Sequence, residues 1–369
     1  MKVLMAAPYE VKGRYQGGIS SIVNAVLNRG DYLAENDLEI VKYETCRVER
    51  SEKSDEQVSV SNLKNCMAIY TSLAKEVRQH NPDVLYFHSS VRLALLKDLL
   101  SIRRAKKKTG VKTVVHIHFA EYDKIMTGKK VIDNMILSIL KNYIDKVVFL
   151  SQRTAEEFVA HGLDRKKTAV VYNFSTVEYT AEEQEKALRS VDSKCKLLFV
   201  GSIDRRKGIC DLLECLTKVQ NSFELHICGG YREEDTKNEV KDYISRMGAS
   251  TIIEHGYVSG EEKRRIYLSS DVLVLPSYGE GLPMVIMEAY HAGCAVISTS
   301  VGAIPEVVGE ENGFVIEPGN KEQLLIALES LINDSDFLRK MKKTNIEASV
   351  NFTLKKFTHD LATVCRELI

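Results

Sequence analysis

Two carboxylates, Glu280 and Glu288, flank the start of a helical pattern in the stretch Ser277-Tyr-Gly-Glu-Gly-Leu-Pro-Met-Val-Ile-Met-Glu-Ala-Tyr-His-Ala-Gly293. The preceding Asp271-Val-Leu-Val-Leu-Pro276 reads as a short buried strand and Glu280-Gly281 as a turn. Pro283 suits the first helical position, where a missing amide costs nothing, and Gly293 ends the helix. A helix that begins just beyond the carboxyl end of a parallel strand presents free N–H groups and the positive end of its dipole, a setting that suits a diphosphate. Glu288 stands about 7–8 Å along the axis from Pro283 at 1.5 Å rise per residue, within reach of a ribose. Glu280, in a turn expected to be exposed, then faces a sugar on the other side of the phosphates. This is the layout of a site for a sugar joined to a nucleoside diphosphate.

Transfer of such a sugar leaves negative charge on the departing phosphate, so a cation must meet it. In Phe199-Val-Gly-Ser-Ile-Asp-Arg-Arg-Lys-Gly208 a strand ends at Gly201, and Arg206 and Lys207 precede a helix. Gly17 and Gly18 follow the first strand and open the first helix, where the lack of Cβ atoms permits close approach of backbone to a phosphate or sugar. Gly229-Gly230 and Gly256-Tyr257-Val258 each close a strand. His118 ends the strand Thr113–His118, with His116 on the same face by two-residue alternation. His-x-His is also a metal-pair spacing, but no nearby third ligand is visible, so no metal is expected. Asp334-Ser-Asp336 lies between two amphipathic helices and reads as helix caps.

The elements that must hold these residues come in two series. Strands Lys2–Ala7, Leu38–Tyr43, Val84–His88, Thr113–His118, Lys146–Ser151 and Thr168–Tyr172 alternate with helices near 59–80, 91–108 and 128–143, and residues 175–192 read as a polar connection. A second series starts at Lys196 and runs through Phe223–Cys228, Thr251–His255, Val272–Leu275, Ala295–Ser298 and Gly313–Ile316. At 369 residues and 44% hydrophobic content the chain suits two α/β domains. The eight cysteines form no CxxC pair and read as buried thiols. No apolar run is long enough to span a bilayer, and the first residues begin a strand, not a signal peptide, so a cytoplasmic location is expected.

The Glu280-to-Glu288 pattern, with Gly281 and Pro283 inside it and Ala292-Gly-Cys-Ala-Val-Ile-Ser-Thr-Ser-Val-Gly-Ala-Ile-Pro-Glu306 behind it, resembles the donor site of retaining glycosyltransferases of the GT-B fold, family four. The resemblance implies an α/β fold of two Rossmann-like doubly wound parallel-sheet domains facing a cleft. It implies an acceptor-binding domain over 1–175, a donor-binding domain over 176–353, and a helix over 354–369 that returns to the first. On this resemblance His118, Glu280, Arg206 and Lys207 form the catalytic set. Ser202, Gly229, Tyr257, Val258, Gly281, Leu282, Pro283 and Glu288 join them in binding the donor, with Gly17 and Gly18. Ser202 stands where many members carry Arg, a cation that Arg206 beside Lys207 replaces. The co-substrate implied is a nucleoside-diphosphate sugar, UDP-sugar foremost, with no cofactor and no metal. The acceptor expected, from the basic character of the first domain, is a saccharide or lipid-linked saccharide of polysaccharide or glycoconjugate biosynthesis. A nucleotide-sugar epimerase of the same fold and a non-catalytic nucleotide-sugar binder are the alternatives.

Net charge is zero, yet residues 101–150 carry 11 basic and 4 acidic side chains. Arg103, Arg104, Lys106, Lys107, Lys108 and Lys112, then Lys124, Lys129 and Lys130, lie beside apolar Ile125, Met126, Val131, Ile132 and Met135. Residues 103–130 are therefore a candidate contact for an anionic membrane surface, which would make the protein peripheral at the inner face of the plasma membrane. Nucleic acid is not expected as a partner, because the block lacks interleaved aromatics and matches no binding motif.

Overall fold

The computed structural model describes residues 1–9, 18–46, 60–189, 194–247 and 251–369. It divides into unit 1, Met1–Tyr172 with Leu354–Ile369, and unit 2, Asn173–Thr353. Asn173, Phe174 and Ser175, assigned from sequence to the first domain, thus belong to the second unit.

Unit 1 is built on β1 (Lys2–Ala7), β2 (Glu39–Glu44), β3 (Val84–Ser89), β4 (Lys112–Ile117), β5 (Lys146–Phe149) and β6 (Thr168–Val170), in the order β2-β1-β3-β4-β5-β6. All pairs are parallel. The central strands β1 and β3 are near-continuous apolar runs, as strands covered on both faces are, and β3 is buried along its whole length. Leu95, Leu99, Ile102 and Ala105 turn the helix Arg92–Thr109 onto this core, and the helix stops at Gly110 in the left-handed conformation, φ 75°. The helix Leu354–Arg366 buries Phe357, Leu361 and Cys365, and Arg366 donates to the Asn36 carbonyl at 2.7 Å.

Unit 2 contains β7 (Cys195–Val200), β8 (Phe223–Cys228), β9 (Ile252–Gly256), β10 (Val272–Leu275), β11 (Ala295–Thr299) and β12 (Gly313–Ile316). Their order is β12-β11-β10-β7-β8-β9, again all parallel. The chain winds outward from β7 toward β9 and from β10 toward β12. The point where strand order reverses therefore lies between β7 and β10, whose Leu197 and Leu198 pair with Val272 and Leu273. In an open α/β sheet that reversal opens a crevice beyond the carboxyl ends of the two strands.

Two sequence expectations are corrected here. Half of the polar stretch 175–192 is not a loose connection, because Ala181–Arg189 is a helix opened by a Thr180/Glu183 capping box. Pro283 is the N-cap residue, φ −72° and ψ 123°, and not the first helical residue; Met284–Ala292 follows it and ends at Gly293 with φ 73°.

Candidate functional site

The loops after β7 and β10 leave the sheet side by side and are laced together. The Tyr278 amide donates to the Arg206 carbonyl at 2.8 Å, and Arg206 Nη1 donates to the Gly279 carbonyl at 2.9 Å. Only glycine permits this approach at position 208: its φ is +75°, and a Cβ there would stand 2.1 Å from the Pro276 carbonyl oxygen. Asp204 shapes the first loop by accepting from the Lys207 amide at 3.0 Å and from Ser202 Oγ at 2.6 Å. The same constraint recurs beneath the second loop, where a Cβ on Gly302 would lie 2.3 Å from the Gly281 carbonyl oxygen. The Ala303 amide donates to that carbonyl at 2.9 Å.

These loops bring Lys207 and Glu280 together. Lys207 Nζ donates to Glu280 Oε1 at 2.6 Å, and Ser277 Oγ donates to the same oxygen at 2.7 Å. Glu280, expected in an exposed turn, is 8% exposed. The difference has a physical cause: a carboxylate can be buried where a cation and a hydroxyl satisfy it. The helix Met284–Ala292 begins directly behind this pair with no side chain capping its first turn, so its leading N–H groups face forward unsatisfied by a cap.

Glu288 lies one helical turn deeper and is 1% exposed. It accepts from Lys263 Nζ at 2.6 Å, from the Tyr267 hydroxyl at 2.8 Å and from Thr176. Lys263 and Tyr267 are four residues apart on one face of the helix Gly260–Leu268. Burial, and then the Glu288 carboxylate, push the Tyr267 hydroxyl well above its ordinary pKa, so it stays a donor. Three protein donors thus hold Glu288 in this structure.

The remaining donor-site candidates are distributed as follows. Gly229 follows β8, and its amide donates to the Gly256 carbonyl at 2.7 Å. Tyr257 is exposed while Val258 is buried. The Leu282 carbonyl accepts from Asn173 at 2.6 Å. Gly18 opens the helix Gly18–Leu27, whereas Gly17 lies outside the described residues. Asp334 caps the helix Ser335–Ser349 by accepting from the Phe337 amide at 2.9 Å. Sequence reasoning missed Ser277, Lys263, Tyr267, Thr176 and Gly302. A hydroxyl three residues before Glu280 and a glycine inside Val301-Gly-Ala were the only local signals.

In unit 1, β4 ends at Ile117, so His118 stands one residue beyond the strand, with its amide donating to the Ser89 carbonyl at 3.1 Å. His116 and His118 do share a face, their rings stacked at 4.1 Å. The expectation that no third ligand accompanies them is wrong. His88, on neighbouring β3 and in register with His116, places its Nδ1 2.8 Å from His118 Nε2. Burial holds His118 down to about 3 and holds His88 and His116 well below the ordinary imidazole range, so all three rings are neutral at physiological pH.

Comparison with known proteins follows this division of the chain. Residues 180–348 match the family model described as Glycosyl transferases group 1, and residues 35–178 match Glycosyltransferase Family 4. An uncharacterized 41.2 kDa protein in the cps region of Klebsiella pneumoniae is 24% identical over 80% of this chain and 81% of its own length. The alpha-galactosylglucosyldiacylglycerol synthase of Streptococcus pneumoniae is 24% identical over 68% of this chain and 70% of its own. Among solved structures, Anabaena Alr3699/HepE in complex with UDP superposes with a TM-score of 0.73 at 17% identity, over 100% of both chains.

Proposed function

We propose that the chain is a retaining group 1 glycosyltransferase of the GT-B fold, a reading that the two family-model matches and the structural likeness support. It moves a hexose-type sugar from UDP-sugar to a saccharide or lipid-linked saccharide in polysaccharide or glycoconjugate biosynthesis. The observation that carries the reading is the buried Lys207–Glu280 pair at the reversal point of the unit 2 sheet. A diphosphate seated against the first turn of Met284–Ala292 competes for the Lys207 ammonium. Arg206 beside it shares the charge that develops as the sugar departs, so transfer needs no metal at the phosphates. Glu280, freed from Lys207, then accepts from sugar hydroxyls, while Glu288 exchanges the Thr176 and Lys263 bonds for ribose hydroxyls. His118 of unit 1 is assigned as a sugar contact on the family resemblance alone. No carboxylate nucleophile is assigned; the departing phosphate takes the acceptor proton on the face it leaves. The UDP bound by the Anabaena protein supports the choice of nucleotide.

The test is turnover of a UDP-sugar panel in buffer free of Mg2+ and Mn2+, with the anomeric configuration of the product read by NMR. An inverted product overturns the retaining reading, and dependence on added Mg2+ overturns the metal-free one.

The acceptor reading leans on the Streptococcus relative, an alpha-galactosylglucosyldiacylglycerol synthase, and on the unit 1 surface. No helix among the described residues is long and apolar enough to cross a membrane. Of the basic run, Arg103 and Lys107 lie over the Tyr143 ring, Arg104 over Tyr70, and Lys106 pairs with Asp145 at 2.5 Å. The better-placed membrane face is the start of the helix Lys130–Tyr143, where exposed Val131 and Met135 adjoin exposed Lys124, Lys129 and Lys130. Co-sedimentation with vesicles should require anionic lipid, weaken as salt rises, and be lost in a Val131→Ser, Met135→Ser, Lys129→Gln, Lys130→Gln variant. Binding that is indifferent to salt or to these changes removes lipid contact from the proposal.

A further inference from the structure

We propose that Lys263 sets how strictly the nucleotide site of unit 2 demands an intact ribose, by standing in on Glu288 for a hydroxyl that the nucleotide lacks. The inference rests on the reading of Glu288 as the ribose carboxylate. The two oxygens of that carboxylate are held differently. Oε2 accepts from the Tyr267 hydroxyl at 2.8 Å, and Tyr267 is buried in the helix Gly260–Leu268. Oε1 accepts from Lys263 Nζ at 2.6 Å and from the Thr176 hydroxyl. Thr176 is exposed, and the Lys263 side chain is 20% exposed against 2% for Glu288. Oε1 is therefore the edge with donors that can leave, and Tyr267 is the donor that stays.

A site built to hydrogen-bond a substrate hydroxyl ordinarily rejects an analogue without it by about 10⁴–10⁵, because a buried polar group is then left unpaired. Here that group keeps its partners. A nucleotide lacking the hydroxyl leaves Lys263 and Thr176 on Oε1. A nucleotide carrying it gains one hydrogen bond to the carboxylate and breaks another, so the preference for the hydroxyl is only the difference between the two. Lys263 is suited to this exchange. Its ammonium has no other ion pair among the described residues. Its flexible four-carbon stem lets the charge withdraw and return without moving the helix. The Tyr267 ring, whose centre lies 5.8 Å from Nζ, remains a favourable neighbour for the released ammonium.

The experiment titrates the full chain with UDP and with 2′,3′-dideoxy-UDP by calorimetry and reads the ratio of the two Kd values. General loosening of the site weakens both ligands and leaves that ratio where it was. Lys263→Met keeps the length of the side chain and removes the ammonium, so it should widen the ratio in favour of UDP by at least about tenfold. Thr176→Val removes the second stand-in and should widen it in the same direction; if Lys263→Met does not fold, this variant decides alone. A folded Lys263→Met with the parent ratio, or a narrower one, overturns the proposal. Glu288→Gln separates that failure from failure of the ribose reading. It should weaken UDP and spare the dideoxy nucleotide. If it changes both ligands equally or neither, the ribose reading fails and takes this inference with it. If it weakens UDP alone while Lys263→Met leaves the ratio unchanged, only the stand-in role of Lys263 falls.

Discussion

At the scale of single residues, the Lys207–Glu280 pair has two roles that substitution can separate. Lys207→Ala leaves a buried carboxylate with only Ser277, and losing one partner of a buried pair costs about 3–5 kcal/mol at full burial. With side chains 15% and 9% exposed, the loss should fall somewhat below that range. Adding Glu280→Gln to Lys207→Ala should recover most of the stability in urea melts but none of the turnover. Recovery of both would reduce the pair to architecture. Glu280→Gln alone should lower kcat/KM by about 10²–10³ and leave UDP affinity nearly unchanged. Glu288→Gln should weaken UDP itself, measured calorimetrically. Equal effects of the two variants on free UDP would end the assignment of sugar to one and ribose to the other. The residue types were legible because a carboxylate at a strand–helix turn and two cations after a strand announce charge chemistry locally. Their pairing was not, since the contact spans 73 positions and depends on which strands become neighbours. The His88 partnership, across 30 positions from His118, was hidden for the same reason.

At the scale of elements, most strand and helix bounds were readable to within one or two residues from apolar runs and glycine or proline stops. The helix Ala181–Arg189 was not, because Ala187 alone is buried among its described side chains and no broad apolar stripe marks it. Its signature was still present in Thr180-x-x-Glu183. Arg264, followed by the Thr180 amide, holds the Glu183 carboxyl below its ordinary value, at about 2. A lowered folded-state pKa gives stability that is present above the unfolded value, near 4.5, and lost as pH falls toward 2. Carboxyl NMR should therefore place the Glu183 midpoint near 2. Glu183→Gln should fray this helix at neutral pH and flatten the acid limb of its melting curve. A midpoint near 4.5 would mean the capping box and the Arg264 pair do not persist in solution.

At the scale of the whole molecule, two βα series could be read along the chain, but periodicity does not say which strands are neighbours. The reversal between β7 and β10 that creates the site was therefore outside its reach. Unit 1 is moreover discontinuous, since Leu354–Ile369 belongs to it. Within it Phe357 stacks on His116, and Lys146 pairs with Glu367 at 2.6 Å. A chain ending at Thr353 should lower the melting temperature of unit 1 and expose dye-binding apolar surface, while unit 2 retains its UDP affinity. An unchanged melt would show that the helix Leu354–Arg366 is dispensable to the core it covers.

That discontinuity also has a meaning in time. A ribosome releases residues 1–172 long before residues 354–369, and domains generally fold as units during synthesis. Unit 2 is contiguous and can complete itself as it emerges. Unit 1 must wait, with the apolar ground under Phe357, Leu361 and Cys365 uncovered, through the translation of the whole second unit. At about 5–20 residues per second that interval lasts roughly ten to forty seconds. For that interval the nascent first unit exposes apolar surface of the kind chaperones cover, and completion of the second unit before the first is the order this connectivity favours.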